Sequence, residues 1–201
     1  MSELAPAVGF DVPAIRLRIA LVRHGESMNN VHEAAGADVY KAHRVSDPAL
    51  SPRGMEQAAA LGALITDKTR SALLGIHPIH ELRVSPHRRT LQTMRPTATG
   101  LSMQPRVCTS LFEAGGIFES DPTYTSFVAK GGMPRTEMHK EFPTYVLPED
   151  VDESGWYKGA PLGRETDDEC RLRVATVASS LRAEAKALTE SRQVVLVAHY
   201  D

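Results

Sequence analysis

Two stretches of this chain are almost continuously apolar, and each stops abruptly at a histidine. Leu17-Arg-Ile-Ala-Leu-Val22 runs into Arg23-His24-Gly25, and Gln193-Val-Val-Leu-Val-Ala198 runs into His199. A short apolar run of this kind, closed by a turn residue, is the pattern of a strand buried on both faces in a parallel sheet. Parallel neighbours need long crossovers, and the intervening sequence has room for them. Ser51 followed by Pro52 has the form of an N-cap and first helical position. The helix it opens would turn Met55, Ala58, Leu61 and Ile65 inward, with small Ala58, Ala59 and Gly62 allowing close packing on a sheet. Ile79 to Val84 alternates as a strand, Ser85-Pro86 opens a second helix to about Met94, and Arg106 to Thr109 suits a third strand. Thr166-Asp-Asp-Glu169 has the form of a capping box. Val174, Val177, Ala178, Leu181, Ala185 and Leu188 follow it at helical spacing. Strands alternating with helices point to an α/β fold, a three-layer α/β/α sandwich on a mostly parallel central sheet.

Two segments break the pattern. Residues 1–15 hold Pro6, Gly9 and Pro13 without periodicity and read as a flexible leader, leaving 16–201 as a single domain. From about 120 to 163 glycine and proline are frequent and apolar periodicity is poor, so this stretch reads as an insert lid with short helices near 122–130 and 135–142. Residues 30–48 read as a loop carrying one helical turn.

Composition narrows the function. Net charge is −2, so no basic surplus marks a nucleic-acid binder, and the longest apolar runs are too short for a membrane span. Cys108 and Cys170 are the only cysteines and form no metal-ligand pattern, which fits a reducing, cytoplasmic setting. The sequence indicates no oligomeric state.

The chemistry concentrates where predicted strands end: Arg23-His24-Gly25, Ser85 with Arg88 and Arg89 beyond it, and His199. In open α/β sheets ligands bind outside the carboxyl ends of the strands, so these groups should share a pocket. Guanidinium groups match phosphate oxygens, and a neutral imidazole among them is a nucleophile toward phosphorus. Such a set suits phosphoryl transfer. His77 and His80, three apart around Pro78, have no carboxylate or thiol at metal spacing and read as surface residues. Lys130, Arg135, His139, Lys140 and Lys158 read as the solvated surface of the insert.

Leu21-Val-Arg-His-Gly-Glu-Ser27 with Asn30 resembles the signature of the histidine phosphatase superfamily, in its phosphoglycerate mutase-like branch. The resemblance continues in the family's order. It takes in Asp47-Pro-Ala-Leu-Ser-Pro-Arg-Gly54 with Gln57-Ala58, and Ser85-Pro-His-Arg-Arg-Thr-Leu-Gln-Thr93. Leu111-Phe-Glu113 with Gly116 and Phe118-Glu119, and Val197-Ala-His199, complete the series. It implies that His24 attacks phosphorus and carries the phosphoryl group, while Arg23, Arg89, Asn30 and His199 bind its oxygens. Glu113 would protonate the leaving oxygen and later take a proton from water. Neighbours compete for three of these roles: Arg88 beside Arg89, Asn29 beside Asn30, and Glu26 or Glu119 in place of Glu113.

The implied activity is a phosphomonoester phosphatase acting on a small phosphorylated metabolite, with neither metal nor other cofactor, because the arginines supply the positive charge. Phosphoglycerate mutase-type transfer is the alternative within the same chemistry, and a non-catalytic phosphate-binding module is the alternative outside it. The segment around Glu113 lacks the arginine- and tyrosine-rich form of the glycolytic mutases, which favours the phosphatase. Many family members have glycine after the second histidine where this chain has Tyr200, and they continue into at least one more helix. On that comparison the sequence reads as truncated at its C-terminus.

Overall fold

A computed structural model describes residues 15–200, so the leader expected over 1–15 lies, apart from Ile15, outside the described residues. In chain order the elements are β1 (Leu17–Arg23), α1 (Met28–Ala34), α2 (Ala37–His43), α3 (Pro52–Thr66), α4 (Lys68–Leu73), β2 (Glu81–Val84) and α5 (Arg88–Leu101). They continue with β3 (Arg106–Val107), a 3₁₀ turn at Thr109–Leu111, β4 (Phe118–Ser120), β5 (Phe127–Ala129), α6 (Arg135–Glu141), α7 (Asp167–Ala187) and β6 (Arg192–Ala198). The main sheet has the order β1-β6-β2-β3 and every pairing in it is parallel. Register places Arg23 beside Ala198 and Val84 beside Val197, so the ends bearing His24, Ser85 and His199 line up on one edge.

Side-chain alternation assigns the layers. Leu82 and Val84 of β2 and Val195 and Val197 of β6 join Leu91, Met94 and Ala98 of α5 in the main core. The opposite face carries Arg83, which pairs with Glu81 at 2.7 Å and with Glu184 of α7 at 2.5 Å. A mixed α/β architecture with helices on both sides of a parallel sheet is therefore present. Only β6 behaves as a strand buried on both faces. β1 does not: it is an edge strand, Ala20 and Val22 pack on the core, and Leu21 on the other face is 67% exposed.

Several expectations need correction. Residues 28–43 form two helices where a loop with one turn was expected, because Ser27 and Asn30 build a capping box and Gly36, at φ 122°, makes the junction between them. α3 starts as expected, with Ser51 Oγ accepting from the Gly54 amide at 3.0 Å. Its buried face, however, is Gly54, Ala58, Gly62 and Ile65, whereas Met55 and Ala59 are exposed. The close approach at Gly62 is to α5, where an added Cβ would lie 2.7 Å from Pro96, not to the sheet. The second helix begins later and ends later than expected, continuing through Pro96 to Leu101. α7 carries the predicted capping box, yet Val174 is half exposed and no residue of the helix is fully buried.

The insert is anchored, not loose. Met133, Met138, Phe142, Tyr145, Val151, Trp156 and Tyr157 all belong to the main core. The helix expected at 122–130 is instead a hairpin of β4 and β5, with Phe118 opposite Ala129. The Asp121 carboxylate accepts from the Thr123, Thr125 and Ser126 amides, a local network that competes with helix formation. The helix expected near 135–142 is present as α6.

Candidate active site

His24 follows β1 directly, and its amide extends the sheet pairing to Ala198 O at 3.0 Å. Gly25 then turns the chain so tightly that an added Cβ would sit 2.6 Å from Gly54 O, and its amide donates to Thr93 Oγ1 at 3.0 Å. The His24 ring is 7% exposed. Nδ1 lies 2.7 Å from Gly25 O, a carbonyl that can only accept, so Nδ1 carries the proton and Nε2 holds the lone pair. Burial, with the Arg89 and then the Arg23 charges, lowers its pKa from 6.5 to about 4, against the opposing bond to Gly25. The imidazole is thus neutral, with its unprotonated Nε2 turned to Arg89.

Arg89, 3% exposed on the first turn of α5, gathers the other groups. Its Nε donates to His24 Nε2 at 3.2 Å, and Nη2 pairs with Glu113 and lies 3.2 Å from His199 Nδ1. Because a guanidinium has no acceptor, His199 Nδ1 must be unprotonated. The His199 Nε2–H then donates to Ser85 Oγ at 2.7 Å. Burial first, and then the charge fields of His87, Arg89 and His24, hold the His199 pKa far below its usual range. The His24 and His199 rings meet edge-on at 5.3 Å.

The arginine and carboxylate competitors separate. Arg88 leaves the pocket to pair with Glu137 and Glu141 of α6. Glu26 accepts from Ser51 Oγ at 2.6 Å, and Glu119 pairs with Lys130 at 2.9 Å, so Glu113 is the carboxylate beside both histidines. Asn29 and Asn30 both line the pocket; Asn29 bonds both ways with the Val45 backbone, and Asn30 accepts from the Ser27 amide at 3.0 Å. The Asn30 side chain therefore completes the capping box of α1 and lines the pocket at once. Arg23 is exposed and lines the pocket mouth, with its guanidinium 5.7 Å from the Tyr200 ring centroid; Tyr200 points outward and is 82% exposed.

The cleft, about 320 Å³, continues past Glu113 to Tyr40, Arg44 and Phe118. Two residues were not singled out from the sequence: His87, which lines the cleft, and Asp47, which contacts His87 and the Arg88 amide. His87 is 1% exposed and lies 3.3 Å from Asp47, whose pKa burial pushes up to about 6. Both sit within recognisable motifs, but nothing in a one-dimensional pattern shows that the Asp47 loop folds back onto the start of α5. Among the described residues, His24, Glu113 and His199 also present ligand atoms within 4.8 Å of one another. The Arg89 guanidinium that touches all three opposes a cation there and favours an anion. No helix among the described residues is long and apolar enough to cross a membrane.

The family model for the histidine phosphatase superfamily (branch 1) matches residues 19–201. Among solved structures, an alpha-ribazole phosphatase from Shigella flexneri aligns at TM-score 0.53 and 20% identity, over 91% of this chain and 74% of that one. A mycobacterial glucosyl-3-phosphoglycerate phosphatase in complex with VO3 aligns at TM-score 0.50 and 20% identity, over 92% of this chain and 75% of that one. At such identity the likeness is one of fold. No curated protein matches.

Proposed function

The chain belongs to the histidine phosphatase superfamily (branch 1), and from that membership we propose that it hydrolyses small phosphomonoesters through a phosphohistidine on His24. One observation carries the proposal: the His24 Nε2 lone pair faces a buried guanidinium that also reaches Glu113 and His199. A phosphoryl group approaching Nε2 meets donors on its equatorial oxygens, where transition-state charge accumulates. Arg23 and Asn30, on the same pocket wall, add to them.

In the first step the Nε2 lone pair forms a bond to phosphorus as the bond to the leaving oxygen breaks. Glu113, as the acid, gives its proton to that oxygen. In the second step Glu113, now a carboxylate, takes a proton from water. The hydroxide formed attacks phosphorus, phosphate departs and the Nε2 lone pair returns. The positive charge comes from arginine throughout, so the scheme calls on no metal.

The leaving group would extend toward Tyr40, Arg44 and Phe118, a polar and aromatic mouth suited to a small phosphorylated metabolite. The test is hydrolysis of an aryl phosphate by the chain and by His24→Ala, with a chelator present. Activity that disappears in the variant and ignores the chelator is the expected result. Turnover that survives in His24→Ala would remove the phosphohistidine. Phosphate binding without turnover by the folded parent would make the chain a binding module, and transfer only between bound phosphorylated metabolites would make it a mutase.

A further inference from the structure

His87 takes no part in the reaction above, yet it is buried at the centre of the groups that do. Nδ1 lies 3.1 Å from Arg89 Nη1 and 3.3 Å from Asp47 Oδ1, and Nε2 lies 3.4 Å from the Glu113 amide nitrogen. The ring is wedged edge-on between His199 at 4.7 Å and Trp156 at 4.9 Å, which fixes its plane.

Proton counting makes this arrangement informative. The guanidinium and the amide can only donate, and a neutral imidazole has a single lone pair. His87 therefore cannot accept from both. If Nδ1 accepts from Arg89, the Nε2–H confronts the Glu113 amide. If Nε2 accepts from that amide, the Nδ1–H turns to the Asp47 carboxylate and confronts Arg89. Asp47 and the Glu113 amide both favour the second tautomer, and the Arg89 Nη1–H opposes it. A phosphoryl group on His24 competes for the donors of Arg89, because charge-assisted bonds to phosphate oxygens are stronger than a bond to a neutral nitrogen.

We propose that His87 is a positioning residue that couples phosphate capture by Arg89 to the seating of the Glu113 loop. The ring keeps one tautomer, with Nδ1–H toward Asp47 and Nε2 accepting from the Glu113 amide, so no proton moves; phosphate oxygens that draw the Arg89 Nη1–H away from Nδ1 remove the clash that loosens this pairing. The backbone that carries the acid is then held in place at the moment the leaving oxygen needs a proton. Asp47 serves as the acceptor that selects this tautomer. The proposal rests on the phosphatase reading and adds to it a named link between binding and protonation.

A leaving-group series tests the link, because a poor leaving group depends on the acid and an activated one does not. In His87→Leu, kcat/KM for phenyl phosphate should fall roughly tenfold further than kcat/KM for dinitrophenyl phosphate, a modest share of what a general acid contributes. His87→Gln, which keeps an amide oxygen as an acceptor for the Glu113 N–H, should recover part of the difference. In a Glu113→Gln background the extra loss caused by His87→Leu should vanish, since coupled residues are not additive. Equal loss across the series in both His87 variants, or an undiminished loss in the Glu113→Gln background, would overturn the coupling and leave the phosphatase intact. A folded parent that hydrolyses none of these esters would defeat both.

Discussion

At the scale of single residues, the site is governed by who can donate to whom. Gly25 O fixes the His24 proton on Nδ1, and Arg89 fixes the His199 lone pair on Nδ1, so two histidines face one guanidinium with opposite ring edges. Burial lowers the His24 pKa to about 4, so the ring loses its lone pair only as pH falls toward that value, well below the ordinary imidazole range. Its imidazole signals in NMR should accordingly show no titration between pH 8 and about pH 5. A midpoint near 6.5 would mean that the ring is more open to solvent than its 7% exposure indicates. Arg44 offers a separate test. It holds Phe118 O at 2.9 Å and lies 4.1 Å over the Phe118 ring, at the mouth and away from the reacting atoms. Arg44→Ala should raise KM for the physiological ester with little change in kcat, the signature of uniform binding. A fall in kcat with KM unchanged would place Arg44 in the chemical step instead.

At the scale of elements, His24, the proposed nucleophile, sits on a loop with a helix terminus pressed against it. The first turn of α3 approaches the 24–26 segment so closely that a Cβ on Gly54 would stand 2.0 Å from Glu26 O. The contact is backbone against backbone, so neither side can yield by changing a rotamer. Gly54→Ala should destabilise the protein by about 1–3 kcal/mol in urea unfolding and also reduce kcat, because relief requires moving the His24 loop. Ala59→Gln on the exposed face of the same helix should shift stability by less than about 0.5 kcal/mol. Equal effects from the two substitutions would show that the close approach is not what positions the loop. The sequence carried the start of α3 through Ser51-Pro52, but not this approach. Nor did it show that Gly62 serves contact with α5, because helix-to-helix and helix-to-sheet packing favour the same small residues.

At the scale of the whole molecule, the histidine cluster of the proposed active site makes folding sensitive to acid. His24, His87 and His199 are all held below the usual imidazole range, chiefly by burial. Above about pH 6.5 these rings are neutral folded or unfolded and cost nothing by titration. Below it the unfolded chain takes up protons that the folded chain refuses, so stability falls as pH drops from about 6.5 toward 4. Asp47 acts in the opposite sense: its pKa is raised to about 6, so the cost of its charge, present above pH 6, is relieved as acid is added. Three histidines against one aspartate should give a net decline in the urea midpoint between pH 7 and pH 5, flattened in His87→Leu. A midpoint that holds or rises over that range would contradict the burial of the three rings. The sequence by itself determined the alternation of strands and helices, the ends on which His24, Ser85 and His199 sit, and the helix starts at Ser51 and Thr166, because periodicity and capping are local. Only the tertiary structure decided that β1 is an edge strand, that the insert closes the core through Trp156 and Phe142, and that Arg89 enters the pocket while Arg88 turns to α6. It also brought His87 and Asp47 together next to the Glu113 backbone. Those outcomes depend on which surfaces meet across long loops, and a one-dimensional pattern holds no record of such meetings.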